Sequence, residues 1–129
     1  MAELTVAVVS AERSLWVGQA KGVVAKTPEG DVGILPGHTP MLALLLDAPL
    51  RIDTVEGSTM LVAVHGGFFS VDHDRVNVIA EVAELAEEID VERARAALER
   101  ARQASAGDDP EAQAAKRAET RLAVAVGAP

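Results

Sequence analysis

A chain of 129 residues, 49 % of them hydrophobic, can build one ordinary domain, or a small domain with an appendage, around a packed core. No apolar run approaches the roughly 18–20 residues of a membrane helix, no basic segment precedes an apolar stretch at residues 1–5, and the lack of cysteine removes disulfides, thiolate nucleophiles and Cys-ligated zinc, so a soluble cytoplasmic protein without direct membrane insertion is expected. The net charge of −8 resides in residues 1–88, with thirteen Asp/Glu against five Lys/Arg, while residues 89–129 hold seven of each; this acidity and the scarcity of aromatic rings (Trp16, Phe68, Phe69) argue against nucleic acid as a partner.

Residues 3–83 read as strands. Leu4, Val6 and Val8 alternate with Thr5, Ala7 and Val9, the period of a half-buried strand. Leu15-Trp16-Val17, Gly22-Val23-Val24-Ala25 and Val32-Gly33-Ile34-Leu35 are short apolar runs separated by turn residues. Residues 41–46 are continuously apolar, which fits a strand buried on both faces or a short helix. Leu50, Ile52 and Val55 face Met60, Val62 and Val64 across Glu56-Gly57, and Val71 faces Val76 and Val78 across residues 72–75, two hairpin signals. Many short strands with regular turns imply an antiparallel sandwich or flattened barrel.

The period changes near residue 84. Asp90 suits a helix N-cap, because its carboxylate accepts from the unpaired N–H groups of the first turn. Val91, Ala94, Leu98 and Ala101 then share one face. Ala106-Gly107-Asp108-Asp109-Pro110 stops this helix and starts another: Gly107 suits a C-terminal cap, an Asp can cap, and Pro110 fits the first helical position. Ala115, Ala118, Leu122 and Ala125 form a second stripe, giving an antiparallel helical hairpin. Its seam holds Leu98, Leu122 and Val91 as its large aliphatics. Each is worth about 1.5–3 kcal/mol when fully buried, against roughly 1–2 kcal/mol for ordering each residue's backbone. Such a pair is either a stable cap on the strands or a unit that detaches.

No constellation of nucleophile, base and electrostatic stabiliser emerges. The chain lacks a Gly-x-x-x-x-Gly-Lys-Ser/Thr loop, and Gly30 to Gly33 lacks the dinucleotide-binding spacing. His65-Gly66-Gly67 is similar to an esterase oxyanion loop, but no Ser sits in Gly-x-Ser-x-Gly. His38, His65 and His73 form no helical metal-binding pair. The cluster Glu81, Glu84, Glu87 and Glu88 reads as a solvated edge. No catalytic residue, metal or required cofactor is expected.

Three segments resemble the epsilon subunit of bacterial F-type ATP synthases in order and spacing: Gly30-Asp31-Val32-Gly33-Ile34-Leu35-Pro36-Gly37-His38-Thr39-Pro40, Gly66-Gly67-Phe68-Phe69-Ser70-Val71, and Ala83-Glu84-Leu85-Ala86-Glu87-Glu88-Ile89-Asp90-Val91-Glu92-Arg93-Ala94. The resemblance implies an N-terminal ten-stranded antiparallel β-sandwich over residues 1–86 and a C-terminal two-helix hairpin over residues 87–129. It implies a non-catalytic rotor subunit at the cytoplasmic face of the membrane, coupling proton translocation to ATP synthesis. The sandwich would dock onto the gamma subunit and the c-ring. The hairpin, when extended, would meet the alpha and beta subunits and suppress ATP hydrolysis. Asp31 and His38, on a segment stiffened by Pro36 and Pro40, are the expected subunit contacts, and Phe68 or Phe69 is expected to fill the core beside Gly66-Gly67.

Some bacterial members bind ATP through Ile/Leu-Asp-x-x-Arg-Ala, which Ile89, Asp90, Arg93 and Ala94 reproduce. ATP is thus the expected regulatory ligand. Arg100 shares a helical face with Arg93, and Arg117 and Arg121 form an i, i+4 pair on the second helix. Folding the hairpin places Arg121 level with Arg93 and Arg117 near Arg100, so that four guanidiniums face a triphosphate. The alternative is that these arginines are solvated or pair with Glu92, Glu99 and Glu119.

Overall fold

A computed structural model describes residues 2–104 and 109–127. Seven strands come first: β1 (Leu4–Ser10), β2 (Ser14–Thr27), β3 (Gly30–Ile34), β4 (Met41–Leu44), β5 (Ala48–Thr54), β6 (Thr59–Asp72) and β7 (Arg75–Leu85). A 3₁₀ turn, Ala86–Glu88, leads to helices α1 (Val91–Ala104) and α2 (Asp109–Val126). The order β1-β7-β6-β5-β2 closes on itself through a β1–β2 pairing, with β3 added to β2 and β4 to β6. The result is a flattened barrel whose two walls act as a sandwich.

Among the described residues seven strands stand in place of the expected ten, and the reason is local. Leu15-Trp16-Val17 and Gly22-Val23-Val24-Ala25 lie on one fourteen-residue strand, β2, interrupted by a bulge between Ala20 and Gly22. Its first half pairs with β1 and its second with β3 and β5. Strand β6 likewise continues through Gly66 and Gly67, which turn it at φ 71° and 109° without ending it. The sheet is also not wholly antiparallel. A ring of five strands cannot alternate direction all the way round, so one neighbouring pair must run the same way. That pair is β1 and β7, in register from Thr5 opposite Arg75 to Ser10 opposite Ala80.

Alternation works as expected on β1, where Leu4, Val6 and Val8 are fully buried. They meet Ile34, Leu50, Ile52, Val62, Phe69, Val71, Val76 and Val78 in the core between the walls. Of the two adjacent phenylalanines, Phe69 fills this core, while Phe68 is exposed. Both expected hairpins form. Ile52 lies opposite Met60 around Gly57, which has a φ of 93°. Asp72 lies opposite Arg75 around His73 and Asp74, both at positive φ (49° and 61°). That is the left-handed pair that a two-residue hairpin turn of matching twist demands. Residues 41–46 are neither a helix nor a strand covered on both sides. Met41 and Ala43 of β4 pack inward, whereas Leu42 and Leu44 face outward.

Asp90 caps α1 by accepting the Arg93 N–H at 3.0 Å. Ala106, Gly107 and Asp108 lie outside the described residues, and Pro110 falls in the first turn of α2. Ala94, Leu98 and Ala101 of α1 are buried, as is Ala118 of α2. Yet α2 has a second buried face that the alanine stripe did not reveal. Val124 packs with Leu61, Ala63, Ala86 and Ile89, and the Thr120 hydroxyl donates to the Asp47 carbonyl at 3.0 Å. Helix α2 therefore lies between the sheet and α1.

Gly67 shows how tightly β6 and β7 approach. A Cβ there would lie 2.2 Å from the Ile79 carbonyl oxygen and 2.7 Å from Ala80 Cα, on a backbone at φ 109°. Gly67→Ala is expected to lower unfolding stability by at least ~2 kcal/mol, from clash and strain together. Urea denaturation of the two proteins checks this. Equal midpoints would mean that the strands separate without cost.

Candidate functional site

The residues of the third motif surround a cleft of about 270 Å³ between the start of α1, the end of β7 and α2. It is lined by Glu84, Glu88, Asp90, Arg93, Ala94, Ala97, Arg100 and Arg121. Five expected residues are thus brought together: Asp90, Arg93, Ala94, Arg100 and Arg121. Ile89 is not on the wall, because it packs beneath with Leu61, Ala63 and Val124. Arg117 does not join Arg100. It lines a different cavity, with Lys116, Gln113, Asp47, His65 and Glu81, because α2 turns the Arg117 side of its surface toward the sheet.

The cleft sets three arginines against three carboxylates, and most of these are already engaged. Glu84 Oε1 accepts from Arg121 Nε at 2.7 Å and from His65 Nε2 at 3.1 Å. Glu88 receives Arg13 Nη2 at 2.7 Å on Oε1 and 2.6 Å on Oε2, and also accepts the Leu85 N–H. The Arg13 hydrogen bond, followed by that of Leu85, holds the Glu88 carboxyl below the usual carboxylate range, and Glu88 in turn raises Arg13. Asp90 is occupied as the helix cap. Arg93 and Arg100 are exposed and form no ion pair with the described residues. Of the carboxylates weighed as their partners, Glu92 pairs with Arg95 and Glu99 accepts from Gln103.

The two expected contact residues sit at the far edge. Asp31 is exposed on β3, opposite Lys26 of β2. His38 follows in the loop, its Nδ1–H donating to the Thr39 carbonyl at 2.6 Å. That loop is tied to the β6–β7 turn, since the Gly37 N–H donates to Asp74 Oδ1 at 2.7 Å. Close by is a surface that pattern reading missed. Leu44 of β4, Phe68 of β6 and Ile79 of β7 are in register on one outer face, with Leu42 two residues further along β4. Their exposures are 65, 38, 39 and 70 %. The signal was absent because every residue from 41 to 46 is apolar, so no alternation separates inside from outside.

The Arg121–Glu84 pair is the one side-chain ion pair joining a helix to a strand among the described residues. Both members are partly exposed, so screening limits its worth to about 1 kcal/mol. Arg121→Ala is expected to accelerate hydrogen exchange of α2 amides roughly fivefold, the rate equivalent of that energy, while exchange within β5 and β6 stays unchanged. Exchange followed by mass spectrometry or NMR reads both.

Residues 3–86 match the family described as "ATP synthase, Delta/Epsilon chain, beta-sandwich domain". The ATP synthase epsilon chain of Streptomyces griseus is 52 % identical over 126 residues, covering 97 % of this chain and 98 % of that one. The ATP synthase epsilon chain of Micrococcus luteus is 56 % identical over 85 residues, 66 % of this chain but 93 % of its own length. Among solved structures, a chain in the Euglena gracilis mitochondrial ATP synthase, in an assembly of OSCP, F1 and c-ring, aligns with a TM-score of 0.84 at 25 % identity, covering 98 % of this chain and 82 % of that one. A sandwich matching the family throughout and near-full-length relatives of one name lead to a single assignment: the chain belongs to the ATP synthase epsilon chains.

Proposed function

We propose that this protein is a non-catalytic central-stalk subunit of ATP synthase, gripping the gamma subunit and the c-ring through its β body at the cytoplasmic face of the membrane. It thereby couples proton translocation to ATP synthesis. The observation that carries this reading is the outer row Leu42, Leu44, Phe68 and Ile79. Contiguous exposed side chains of this size on rigid strands mark a surface made to be covered. The segment with Asp31 and His38, tethered by Asp74, supplies polar contacts beside it. No helix among the described residues is long and apolar enough to cross a membrane, which agrees with attachment through other subunits.

The helices form a regulatory unit that leaves the sheet, reaches the alpha and beta subunits and restrains ATP hydrolysis. Two features support this: α1 packs chiefly on α2, not on the strands, and the Micrococcus luteus relative is little longer than its 85-residue match. ATP holds the helices down by binding where Arg93 and Arg100 face the cleft. At about 270 Å³ the cleft encloses part of a nucleotide, with the remainder lying across exposed arginines. The three carboxylates on its wall make this an exchange reaction, in which a phosphate group competes with Glu84 for Arg121. Bound ligand then stabilises the docked state by mass action.

Leu44→Asp with Phe68→Asp is expected to weaken gamma binding at least tenfold in a pull-down or by calorimetry, as loss of central apolar contacts does. Truncation after Glu88 should keep that binding and raise ATPase activity in the reconstituted complex; lost binding would contradict the division of labour. Titration calorimetry with ATP should give binding that Arg93→Ala and Arg100→Ala each reduce on the order of tenfold or more. Equal heats for all three proteins would remove the nucleotide site and leave the rotor role standing.

A further inference from the structure

We infer that the junction of α2 with the sheet is a proton-operated latch: His65 is neutral while α2 is docked and takes up a proton as α2 leaves, so that acidification releases the helices. This rests on the reading that the helices detach.

His65 lies on β6 opposite Val82 of β7, and only 4 % of it is exposed. Its Nε2 lies 3.1 Å from Glu84 Oε1, the same oxygen that receives Arg121 Nε at 2.7 Å. The carboxylate is an acceptor, so Nε2 carries the proton and Nδ1 of the neutral ring does not. Nδ1 is buried and has no partner among the described residues. Protonation would create a buried N–H without an acceptor, and would bring a second cation to a carboxylate that already serves a guanidinium. Both effects disfavour the charged ring in the docked state.

The other charged groups nearby do not reverse this. The cavity beside His65 is lined by Asp47 before β5, Glu81 on β7, and Lys116 and Arg117 on α2, two charges of each sign. Burial is the largest influence on His65 and lowers its pKa; Arg121 lowers it further, while Glu84 and Asp47 raise it by less. Departure of α2 removes Arg121 and the cover together, returning the ring toward an ordinary value of about 6.5. The detached state therefore binds the proton more tightly. Docking is at full strength above pH ~6.5 and weakens as pH falls below it, until the lower docked value is reached.

The chain has no cysteine, so spin labels at Glu56→Cys and Glu119→Cys report the distance between sheet and α2 in the full chain. Between pH 8 and 5, the detached fraction is expected to climb toward a limit of about tenfold per pH unit below pH 6.5, the dependence one proton gives. His65→Gln keeps a donor for Glu84 but does not titrate, and should flatten the profile; His73→Gln, on an exposed turn, should leave it unchanged. A distance independent of pH in the parent chain, or an unaltered profile in His65→Gln, overturns the latch. Val124→Asp supplies the detached reference; if that variant also stays docked, detachment itself fails and the latch with it. Independently of any variant, NMR titration should give His65 of the docked chain a pKa below the ordinary imidazole value of about 6.5, and an equal or higher one overturns the proposal.

Discussion

The odd number of strands in the closed ring governs the rest of the architecture. Five strands cannot all run against their neighbours, so β1 and β7 run together. That pairing covers residues 75–80 of β7 and leaves its last residues, Ala83, Glu84 and Leu85, paired with β6 alone. There the Glu84 side chain is open to something other than a strand. The chain then turns through Ala86–Glu88, clamped by Arg13 from the β1–β2 connection, and α2 comes back to cover the uncovered end.

An ATP synthase epsilon chain is a non-catalytic subunit, and the geometry fits one that works by contact. Among the described residues, two of its long-range polar contacts are a tether and a shared carboxylate. The tether joins the β3–β4 loop to the β6–β7 turn. The shared carboxylate joins strand, histidine and helix through a single oxygen. Both interactions connect segments distant in sequence, so each one fixes the position of a surface.

Much of this was legible in the chain. The alternation of Leu4, Val6 and Val8, both hairpins, the Asp90 cap and the change of period near residue 84 are local signals, and local physics decides them. What escaped was decided by neighbours. The break in β2 looked like an end because a bulge uses the same residues that end strands. The outward row on β4 was hidden by uniform apolarity. The second face of α2 was masked because Thr120 is polar by composition yet buried through a bond to a carbonyl seventy-three residues away. Arg93 was singled out by the resemblance, and helical spacing with a folded hairpin brought Arg100 and Arg121 to it, whereas the diversion of Arg117 toward His65 depended on how α2 rolls on the sheet.

The turn at His73 and Asp74 carries a trade-off in its own sequence. Both residues hold a left-handed backbone that asparagine and glycine would adopt with less strain. Glycine at the second place, however, has no carboxylate to grasp the Gly37 amide. Selection for hairpin comfort and selection for a stiff β3–β4 loop thus pull on one position in opposite directions. A consensus-minded redesign of the turn would produce a protein that melts higher while its β3–β4 loop hangs more slackly.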